Sequence, residues 1–384
     1  MDKKLIYVLN HYSSKSVQHF YHILNLLIAM ADKGVKITLI IEKCDDIPSI
    51  NHKNIEVICQ KQENNLKRGL ELFNILKRLI KRGYSRIFIR ITINSTIISI
   101  VAAKLFGAKT YYWQSGTTFL VDSDKSFFYK LKWLMFSYSK FWFVKKLVDF
   151  FVTGPESMID YYINVVKVNS KKMMLLYNDI DINRFTIPSA KEKGRIRKEL
   201  GFIDTEKIIL MVHRLSPVRK TDMYVPDILE NDSLKKYNAQ LVIIGDGPEL
   251  PILKRKIEGS SARDRIHLLG SKPNSEITKY YDAADLFINP SFTEGFPRVV
   301  IEAMACGLPI IATDAGGTSD LFGKLQKNYV VDRDNIVEFR KKLSTIFENA
   351  SLLEKLSSEN LNVVKKYSTD SVSDMYIERI FNNG

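Results

Sequence analysis

The sequence predicts an α/β fold with two doubly wound domains that face each other across a cleft. The chain has 384 residues, too many for one compact core and suitable for two domains. Short, almost wholly apolar runs alternate with longer segments of helical periodicity, which is the pattern of parallel strands buried on both faces. The same alternation occurs in both halves, so we expect two parallel sheets.

Seven strand-like runs alternate with helical segments in the first half. The helical periodicity is clearest over residues 17–34 and 64–83, and both segments close on glycine, a common helix terminator. The predicted strands cover residues 4–10, 36–43, 55–60, 86–91, 109–114, 149–154 and 172–178.

The second half repeats this plan with six predicted strands. Helical segments over 251–259 and 277–284 lie between strands, and the chain is predicted to be helical from about residue 334 to its end. The predicted strands cover residues 207–213, 240–245, 265–270, 285–291, 309–314 and 328–331.

These patterns predict how the chain divides into domains. The polar stretch 187–201 contains Pro, Gly and charge but no strand pattern, so it marks the expected boundary. We expect an N-terminal domain over 1–186, a C-terminal domain over 187–365 and a C-terminal helix over 366–384 that packs back on the N-terminal domain. Ligands of open α/β sheets bind at the carboxyl ends of the strands, so the functional residues should follow strands.

The composition is that of an ordinary globular protein. The apolar fraction is 45% and the charged fraction 26%, and 18 Gly with 11 Pro are too few for a collagenous or low-complexity chain. No run reaches the roughly 18 apolar residues of a membrane-spanning helix. The N-terminal apolar run is too short for a signal peptide. We therefore expect a cytoplasmic protein.

The number and spacing of the cysteines also favour a cytoplasmic protein. Cys44, Cys59 and Cys306 are an odd number without CxxC spacing. This pattern argues against a disulfide framework and a Cys-rich zinc site, and it fits a reducing compartment.

The net charge of +14 is concentrated in the first half. Residues 1–184 contain 28 Lys and Arg against 15 Asp and Glu, whereas residues 185–384 contain 29 against 28. The segment 125–152 mixes aromatic residues with lysines, a pattern typical of contact with an anionic membrane surface. The alternative is a core-facing apolar stripe with a solvated lysine face. No nucleic-acid-binding motif is visible, so we expect no nucleic acid partner.

The strongest chemical signal lies in residues 290–317. A predicted strand ends at Ser291, a loop carries Glu294, and a helix follows that runs through Glu302. The free amides at a helix start can bind a phosphate, aided by the helix dipole. Carboxylates accept hydrogen bonds from sugar hydroxyls, so the two glutamates would hold a sugar and a ribose on either side of a diphosphate. The alternative is an ordinary amphipathic helix capped by Glu-Gly.

This Glu-x7-Glu segment, EGFPRVVIEAMACGLPIIATD, resembles the signature of the retaining glycosyltransferases of family 4, the group 1 transferases. The resemblance implies the GT-B fold, with two Rossmann-like domains, and no cofactor or metal beyond the nucleotide-sugar co-substrate. It implies that Glu294 is catalytic and orients the donor sugar, while Glu302 holds the ribose. The other donor-binding residues implied here are Gly295, Phe296, Pro297 and Arg298.

A second segment supports the resemblance. Arg214 and Lys220 follow the first strand of the second half and are similar to the family's Arg-x5-Lys clamp, which stabilises the charge on the leaving diphosphate. The family usually has Gly at the position of His213 and at the position of Thr221. We interpret His213 as structural. The alternative for the pair of cations is a solvated basic loop.

Two further loops resemble donor-binding loops of the family. Residues 243–250 contain Gly245 and Gly247, although the third Gly of a dinucleotide fingerprint is replaced by Leu250. Residues 268–277 contain Ser271 and Lys272, whose backbone would read the base. Both loops follow predicted strands.

The first domain departs from the family pattern. Its first post-strand loop lacks the usual glycines, and Gln114-Ser115-Gly116 stands where His-Gly is common. The candidates for contacts with the acceptor or the donor sugar are His11, Asn94, Gln114 and Ser115, and the alternative, which the pattern favours, is that they are ordinary loop residues.

The resemblance implies a retaining transferase that moves a hexose-type sugar from a UDP-sugar to a saccharide or lipid-linked acceptor in surface polysaccharide or glycolipid assembly. The alternatives are a sugar-nucleotide epimerase of the same fold and a non-catalytic basic adaptor that binds membranes and keeps a decayed donor site. Asp179 and Asp181 form an Asp-x-Asp pattern, which we assign to an interdomain segment and not to a metal site.

Overall fold

The computed structural model describes residues 2–13, 21–116, 138–217, 219–221, 224–230 and 232–382. It divides into two compact units, Met1–Tyr177 with Thr369–Gly384, and Asn178–Ser368. The main segment of the first unit ends at Tyr177, ahead of the boundary expected at 186/187. The polar stretch that suggested this boundary contains a helix of the second unit.

The first unit contains a seven-stranded parallel sheet, and every strand predicted in this half is present. The strands are β1 (Lys4–Tyr12), β2 (Lys36–Cys44), β3 (Ile55–Cys59), β4 (Arg86–Arg90), β5 (Lys109–Trp113), β6 (Phe150–Thr153) and β7 (Met173–Leu175). Their order in the sheet is β3-β2-β1-β4-β5-β6-β7. The order reverses direction between β1 and β4, as in doubly wound sheets.

Among the residues that the structure describes, five helices lie between these strands. They are α1 (Tyr21–Asp32), α2 (Asn65–Lys81), α3 (Ile93–Phe106), α4 (Ser139–Leu147) and α5 (Glu156–Asn164). Helix α2 shows why the sequence pattern predicts a helix there. Asn64 caps its first amides, and Leu72, Leu76 and Leu79 are buried on one face.

The second unit repeats the architecture with a six-stranded parallel sheet. Its strands are β8 (Lys207–Val212), β9 (Ala239–Ile244), β10 (Ile266–Leu268), β11 (Leu286–Asn289), β12 (Ile310–Thr313) and β13 (Val330–Val331). Their order is β10-β9-β8-β11-β12-β13. The near-continuous apolar runs of β8, β9 and β11 are buried along their lengths, which is why they predict central strands.

Helices surround the second sheet and continue to the end of the chain. They are α6 (Ala190–Glu199), α7 (Asp232–Lys235), α8 (Leu250–Glu258), α9 (Thr278–Ala283), α10 (Arg298–Ala305), α11 (Lys324–Lys327), α12 (Ile336–Glu348), α13 (Ala350–Val363) and α14 (Thr369–Phe381). Helix α14 belongs to the first unit. Lys33 of α1 forms ion pairs with Asp370 and Asp374, and the ring of Tyr376 lies 5.6 Å from that of Phe88.

The bonding of the cysteines differs from the prediction that the chain has no disulfide framework. Cys44 and Cys59 form a disulfide, whereas Cys306 is free and buried. The two bonded cysteines are the last residues of the neighbouring parallel strands β2 and β3, so they lie at the same end of the sheet although they are 15 residues apart in sequence. Counting cysteines cannot reveal this pairing because it depends on strand order.

No helix in the described ranges is both long enough and apolar enough to cross a lipid bilayer.

Candidate functional site

The candidate site lies where the strand order of the second sheet reverses, between β8 and β11. Open parallel sheets bind ligands outside the carboxyl ends of their strands at such a reversal. The segment after β8 carries His213 to Thr221, and the segment after β11 carries Glu294. The two motifs with the clearest chemical pattern therefore follow adjacent strands.

Glu294 is buried and is held by two basic side chains from the segment after β8. Only 5% of the residue is exposed. Its Oε1 lies 3.0 Å from Nη1 of Arg219 and 3.5 Å from Nε2 of His213. A buried carboxylate requires such partners because desolvation otherwise disfavours its charge.

These neighbours determine the charge of Glu294. Burial acts to raise the pKa of this carboxyl group, but hydrogen bonding to His213 and the positive charge of Arg219 outweigh it and lower the pKa below the ordinary value. Glu294 is therefore an anion at neutral pH. An ionised carboxylate only accepts hydrogen bonds, so it can bind sugar hydroxyls but cannot act as an acid.

The two cations predicted from the sequence, Arg214 and Lys220, are exposed and lie in the same segment after β8 as Arg219. Within the described part of the chain, neither Arg214 nor Lys220 forms an ion pair, and Nζ of Lys220 lies 5.2 Å from the centre of the Phe292 ring. Lys220 has a positive φ of 49°, which is uncommon for a residue with a Cβ. Sequence spacing missed Arg219, which lies in the same loop and is the cation that pairs with Glu294.

Helix α10 begins immediately after the Glu294 loop. Pro297 is its N-cap, and a proline side chain cannot accept hydrogen bonds from the first amides. Those amides can therefore donate to an anion. The ring of Phe296 is buried against Tyr367, so the side chain of Phe296 belongs to the core. Gly295 is half-buried in the preceding loop.

Glu302 lies on α10, and its side chain is also held from within the unit. The hydroxyl of Tyr281 donates to its Oε2 at 3.0 Å, and Nη2 of Arg298 lies 3.6 Å from its Oε1. Glu302 is 7% exposed, and Tyr281 is fully buried. The sequence pattern predicts Glu302 but contains no signal for Tyr281, which comes from the neighbouring helix α9.

Three glycines allow the loops of the site to pack backbone against backbone. A Cβ at Gly245 would lie 1.8 Å from the carbonyl oxygen of His213, and one at Gly247 would lie 1.9 Å from that of Leu215. A Cβ at Gly316 would lie 1.9 Å from the carbonyl oxygen of Glu294. Only glycine permits these contacts, so all three glycines fix the positions of the segments that carry the charged groups.

The remaining donor-binding candidate loop follows the edge strand β10. Ser271 is exposed and Lys272 is half-buried. The carbonyl of Gly270 accepts a hydrogen bond from the amide of Gly245 at 2.9 Å, which joins this loop to the glycine loop after β9. The structure places both residues at the carboxyl end of the sheet.

The four candidates in the first unit lie at the carboxyl ends of strands or in the first turn of α3. His11 pairs with Asp45 at 3.0 Å, Asn94 accepts a hydrogen bond from Lys140 at 3.1 Å, and Gln114 accepts one from the hydroxyl of Tyr112 at 3.0 Å. Ser115 is half-buried. Three of the four therefore have partners within their own unit.

The Asp-x-Asp pattern has a local structural role. Oδ1 of Asp181 accepts the amide of Asn183 at 3.0 Å, and Ile180 bridges to Ser368. Among the residues that the structure describes, no three His, Cys, Asp or Glu side chains are grouped to hold a metal ion.

The fold and the site together define a two-domain α/β protein whose second unit holds two buried glutamates at a helix start. Residues 192–362 match the family model described as glycosyl transferases group 1. Both motifs lie within the matched residues, so the resemblance inferred from them is confirmed.

Curated relatives extend the likeness. The chain is 37% identical over 148 residues to the putative teichuronic acid biosynthesis glycosyltransferase TuaC of Bacillus subtilis. It is 31% identical over 200 residues to alpha-monoglucosyldiacylglycerol synthase of Acholeplasma laidlawii. These matches cover 38% and 51% of this chain, and the chain spans only 34% and 49% of the two relatives.

A longer match is 25% identical over 345 residues, with 86% of this chain and 82% of the relative covered. The relative is UDP-Gal:alpha-D-GlcNAc-diphosphoundecaprenol alpha-1,3-galactosyltransferase of Escherichia coli.

Solved structures show the same fold. Anabaena HepE in complex with UDP superposes with a TM-score of 0.72 at 16% identity, with 98% of both chains covered. Sucrose-phosphate synthase of Thermosynechococcus elongatus superposes with a TM-score of 0.78 at 16% identity over all of both chains. Together with the two parallel sheets, this likeness confirms the predicted α/β fold with two Rossmann-like domains, the GT-B fold.

Proposed function

We propose that the protein is a retaining, metal-independent glycosyltransferase that moves a hexose-type sugar from a UDP-sugar to a saccharide or lipid-linked acceptor in polysaccharide or glycolipid biosynthesis. The observation that carries the proposal is the pair of buried carboxylates, Glu294 and Glu302, before and within the first turns of α10. Three of the relatives are named as glycosyltransferases or as a glycolipid synthase, and one of the superposed structures contains UDP.

Each group has a role that follows from its charge and its exposure. Arg214 and Lys220 form no ion pair with any other residue that the structure describes, so they would bind the diphosphate together with the amides at the start of α10. Glu294 is an anion and would accept hydrogen bonds from hydroxyls of the donor sugar. Glu302 would accept those of the ribose. The backbone near Ser271 and Lys272 would contact the base.

The same groups would stabilise the transition state. As the bond between the sugar and the diphosphate breaks, negative charge grows on the leaving phosphate. Arg214, Lys220 and the helix amides would stabilise that charge, an effect worth about 10²–10³ in rate for one well-placed donor. The leaving phosphate would take the proton of the acceptor hydroxyl, which attacks from the same face of the sugar. The proposed mechanism requires neither an enzymic nucleophile nor a metal ion.

The acceptor would bind to the first unit, and a basic surface there favours an anionic or lipid-linked acceptor. The segment 125–152 lies within the described ranges only from residue 138 onward. Helix α4 buries Phe141 and Val144, while Trp142 is 47% exposed with Nζ of Lys146 4.9 Å from its ring. Exposed tryptophan beside lysine suits a membrane interface. We therefore propose peripheral binding at the cytoplasmic membrane surface.

A donor screen tests the proposed function. The melting temperature of the protein should rise with one of UDP-glucose, UDP-galactose and UDP-N-acetylglucosamine, and not with the matching ADP- or GDP-sugars. The selected donor should then release UDP when a lipid-linked or saccharide acceptor is added. Isomerisation of the donor without an acceptor would indicate an epimerase instead. Vesicle binding without any sugar-nucleotide binding would indicate the adaptor.

A further inference from the structure

Two residues that depart from the usual family pattern contact each other at the end of β8. His213 and Thr221 both occupy positions where glycine is usual, and both are buried. Oγ1 of Thr221 lies 2.8 Å from Nδ1 of His213. The two residues that replace the usual glycines therefore form one hydrogen-bonded pair.

The other ring nitrogen of this histidine faces the candidate catalytic carboxylate. Nε2 of His213 lies 3.5 Å from Oε1 of Glu294, and the same oxygen lies 3.0 Å from Nη1 of Arg219. These contacts form a chain from the Thr221 hydroxyl through the imidazole to the carboxylate. The mechanism described above does not use the imidazole.

Hydrogen-bonding capacity decides where the proton of the ring lies. Burial is the main influence on His213 and lowers its pKa below the ordinary value, so the ring is neutral at neutral pH and carries a single N–H. Glu294 is ionised and can only accept a hydrogen bond. The Thr221 hydroxyl can donate or accept. Nε2 and Oε1 approach to 3.5 Å, and a hydrogen bond between them requires that Nε2 carries the proton and that the Thr221 hydroxyl donates to Nδ1.

We propose that His213 is a positioning residue that, with its Nε2–H tautomer fixed by Thr221, orients the carboxylate of Glu294 toward the donor sugar. This inference rests on the proposed function, because the orientation of Glu294 matters only if a sugar binds there. The effect should concern the sugar and not the nucleotide, since Arg214, Lys220 and Glu302 are assigned to the latter. His213 itself does not contact the reacting atoms.

The tautomer of His213, and its hydrogen bond with Thr221, can be tested without any ligand. Nitrogen-15 NMR of histidine-labelled protein at pH 7.5, with the six histidines assigned by substitution, reports the tautomer of each ring. We expect His213 to be neutral and protonated at Nε2. Thr221→Val keeps the side-chain volume but removes the hydroxyl that bonds Nδ1 of His213, so the Nδ1 resonance of His213 should shift. An Nδ1–H tautomer or an imidazolium would overturn the proposal.

Binding calorimetry with UDP and with the UDP-sugar selected by the donor screen tests the positioning role. His213→Ala should weaken binding of the UDP-sugar by about tenfold and leave binding of UDP unchanged within about twofold. His213→Gln should keep most of the wild-type affinity for the UDP-sugar, because the amide of the glutamine can donate to Glu294. His267→Gln is the matched control, since His267 pairs with Gln240 in the same unit, outside the site.

The outcomes separate this inference from the proposed function. Thr221→Val provides the binding test if His213→Ala does not fold, and it should weaken binding of the UDP-sugar in the same selective way. Equal loss of UDP and UDP-sugar binding, or no loss of either, would overturn the positioning role while the proposed function stands. If the wild-type protein binds no sugar nucleotide, the proposed function and the positioning role fail together, and the NMR result still decides the tautomer.

Discussion

The loops that follow the strands of the two sheets are built differently. In the second unit, glycines bring backbone against backbone, and the charged groups of Glu294 and Glu302 are buried with fixed partners. In the first unit, His11 and Asn94 have exposed partners, Asp45 and Lys140. Under the proposed function, the diphosphate and the ribose require the same contacts whatever the acceptor, so the loops assigned to them can be rigid and have a recognisable sequence pattern. The acceptor side has no such pattern.

The largest expected effect comes from breaking the close packing in the second unit. Gly245→Ala would place a Cβ 1.8 Å from the carbonyl oxygen of His213, so we expect a loss of more than about 3 kcal/mol in the free energy of unfolding. Gly116→Ala in the first unit also changes a glycine with a positive φ, but no atom of the described residues lies within 4 Å of the added Cβ, so it should cost only about 1 kcal/mol. Chemical denaturation of both variants compares the two regions, and equal losses would refute the difference in construction.

The disulfide is the feature that stabilises the post-strand edge of the first unit. Cys59→Ser should lower the stability of that unit by about 3 kcal/mol, because the bond closes a loop of 15 residues. Reduced wild-type protein should match the variant in denaturation experiments. Binding of UDP to the second unit should not change, and a parallel loss of UDP binding would show that the two regions are not independent.

Removing the charge of Glu294 tests its assigned role. Glu294→Gln keeps the shape of the side chain and one acceptor oxygen but removes the negative charge, and with it the ion pair with Arg219 and the charge-assisted hydrogen bonds to sugar hydroxyls. We expect the transfer rate to fall by about 100-fold. Gln114→Ala in the first unit, where the amide bonds Tyr112, should reduce the rate by less than about tenfold. Similar losses of transfer rate in Glu294→Gln and Gln114→Ala would contradict the proposed difference between the two units.

Glu302 tests the nucleotide side of the site. Glu302→Ala removes an acceptor worth about 1.5–3 kcal/mol, so UDP affinity should fall roughly ten- to hundredfold. Tyr281→Phe removes only the hydroxyl that orients Glu302, and should reduce affinity by a few-fold. Titration calorimetry of both variants checks this order, and wild-type affinity in Glu302→Ala would refute the ribose role.

The smallest effect concerns Asp282 on α9. Burial, with a contribution from Glu192, raises its pKa to about 6 from the ordinary 3.8. A carboxyl group that is harder to ionise in the folded state destabilises the fold as pH rises from about 4 through 6. Asp282→Asn should therefore stabilise the protein slightly at pH 8 and have no such effect at pH 4. Melting temperatures at the two pH values test this, and a stabilisation confined to pH 4 would contradict the sign.

The sequence predicted most of the fold because burial leaves a local pattern. Central strands such as β8 and β9 are apolar at all but one position each, and α2 shows both a cap and an apolar face. Glu294 and Glu302 could be identified as candidates from the sequence because their spacing around a loop and a helix start is also a local pattern. The same applies to the exposed cations Arg214 and Lys220.

The contacts that were missed depend on strand order and on side-chain direction. Arg219 and not Arg214 pairs with Glu294, although both lie in the loop after β8. Tyr281 reaches Glu302 from another helix, and Cys44 meets Cys59 only because β2 and β3 are neighbours. Composition and spacing along the chain carry no information about these approaches.

The most direct test of the central claim is hydrogen–deuterium exchange with and without UDP. If Arg214, Lys220, the start of α10 and Glu302 hold the nucleotide, UDP should slow exchange in peptides covering residues 213–221 and 294–302, and leave those covering the ends of β1 and β5 unchanged. Slowed exchange confined to the first unit, or no change in residues 294–302 at saturating UDP, would contradict the account.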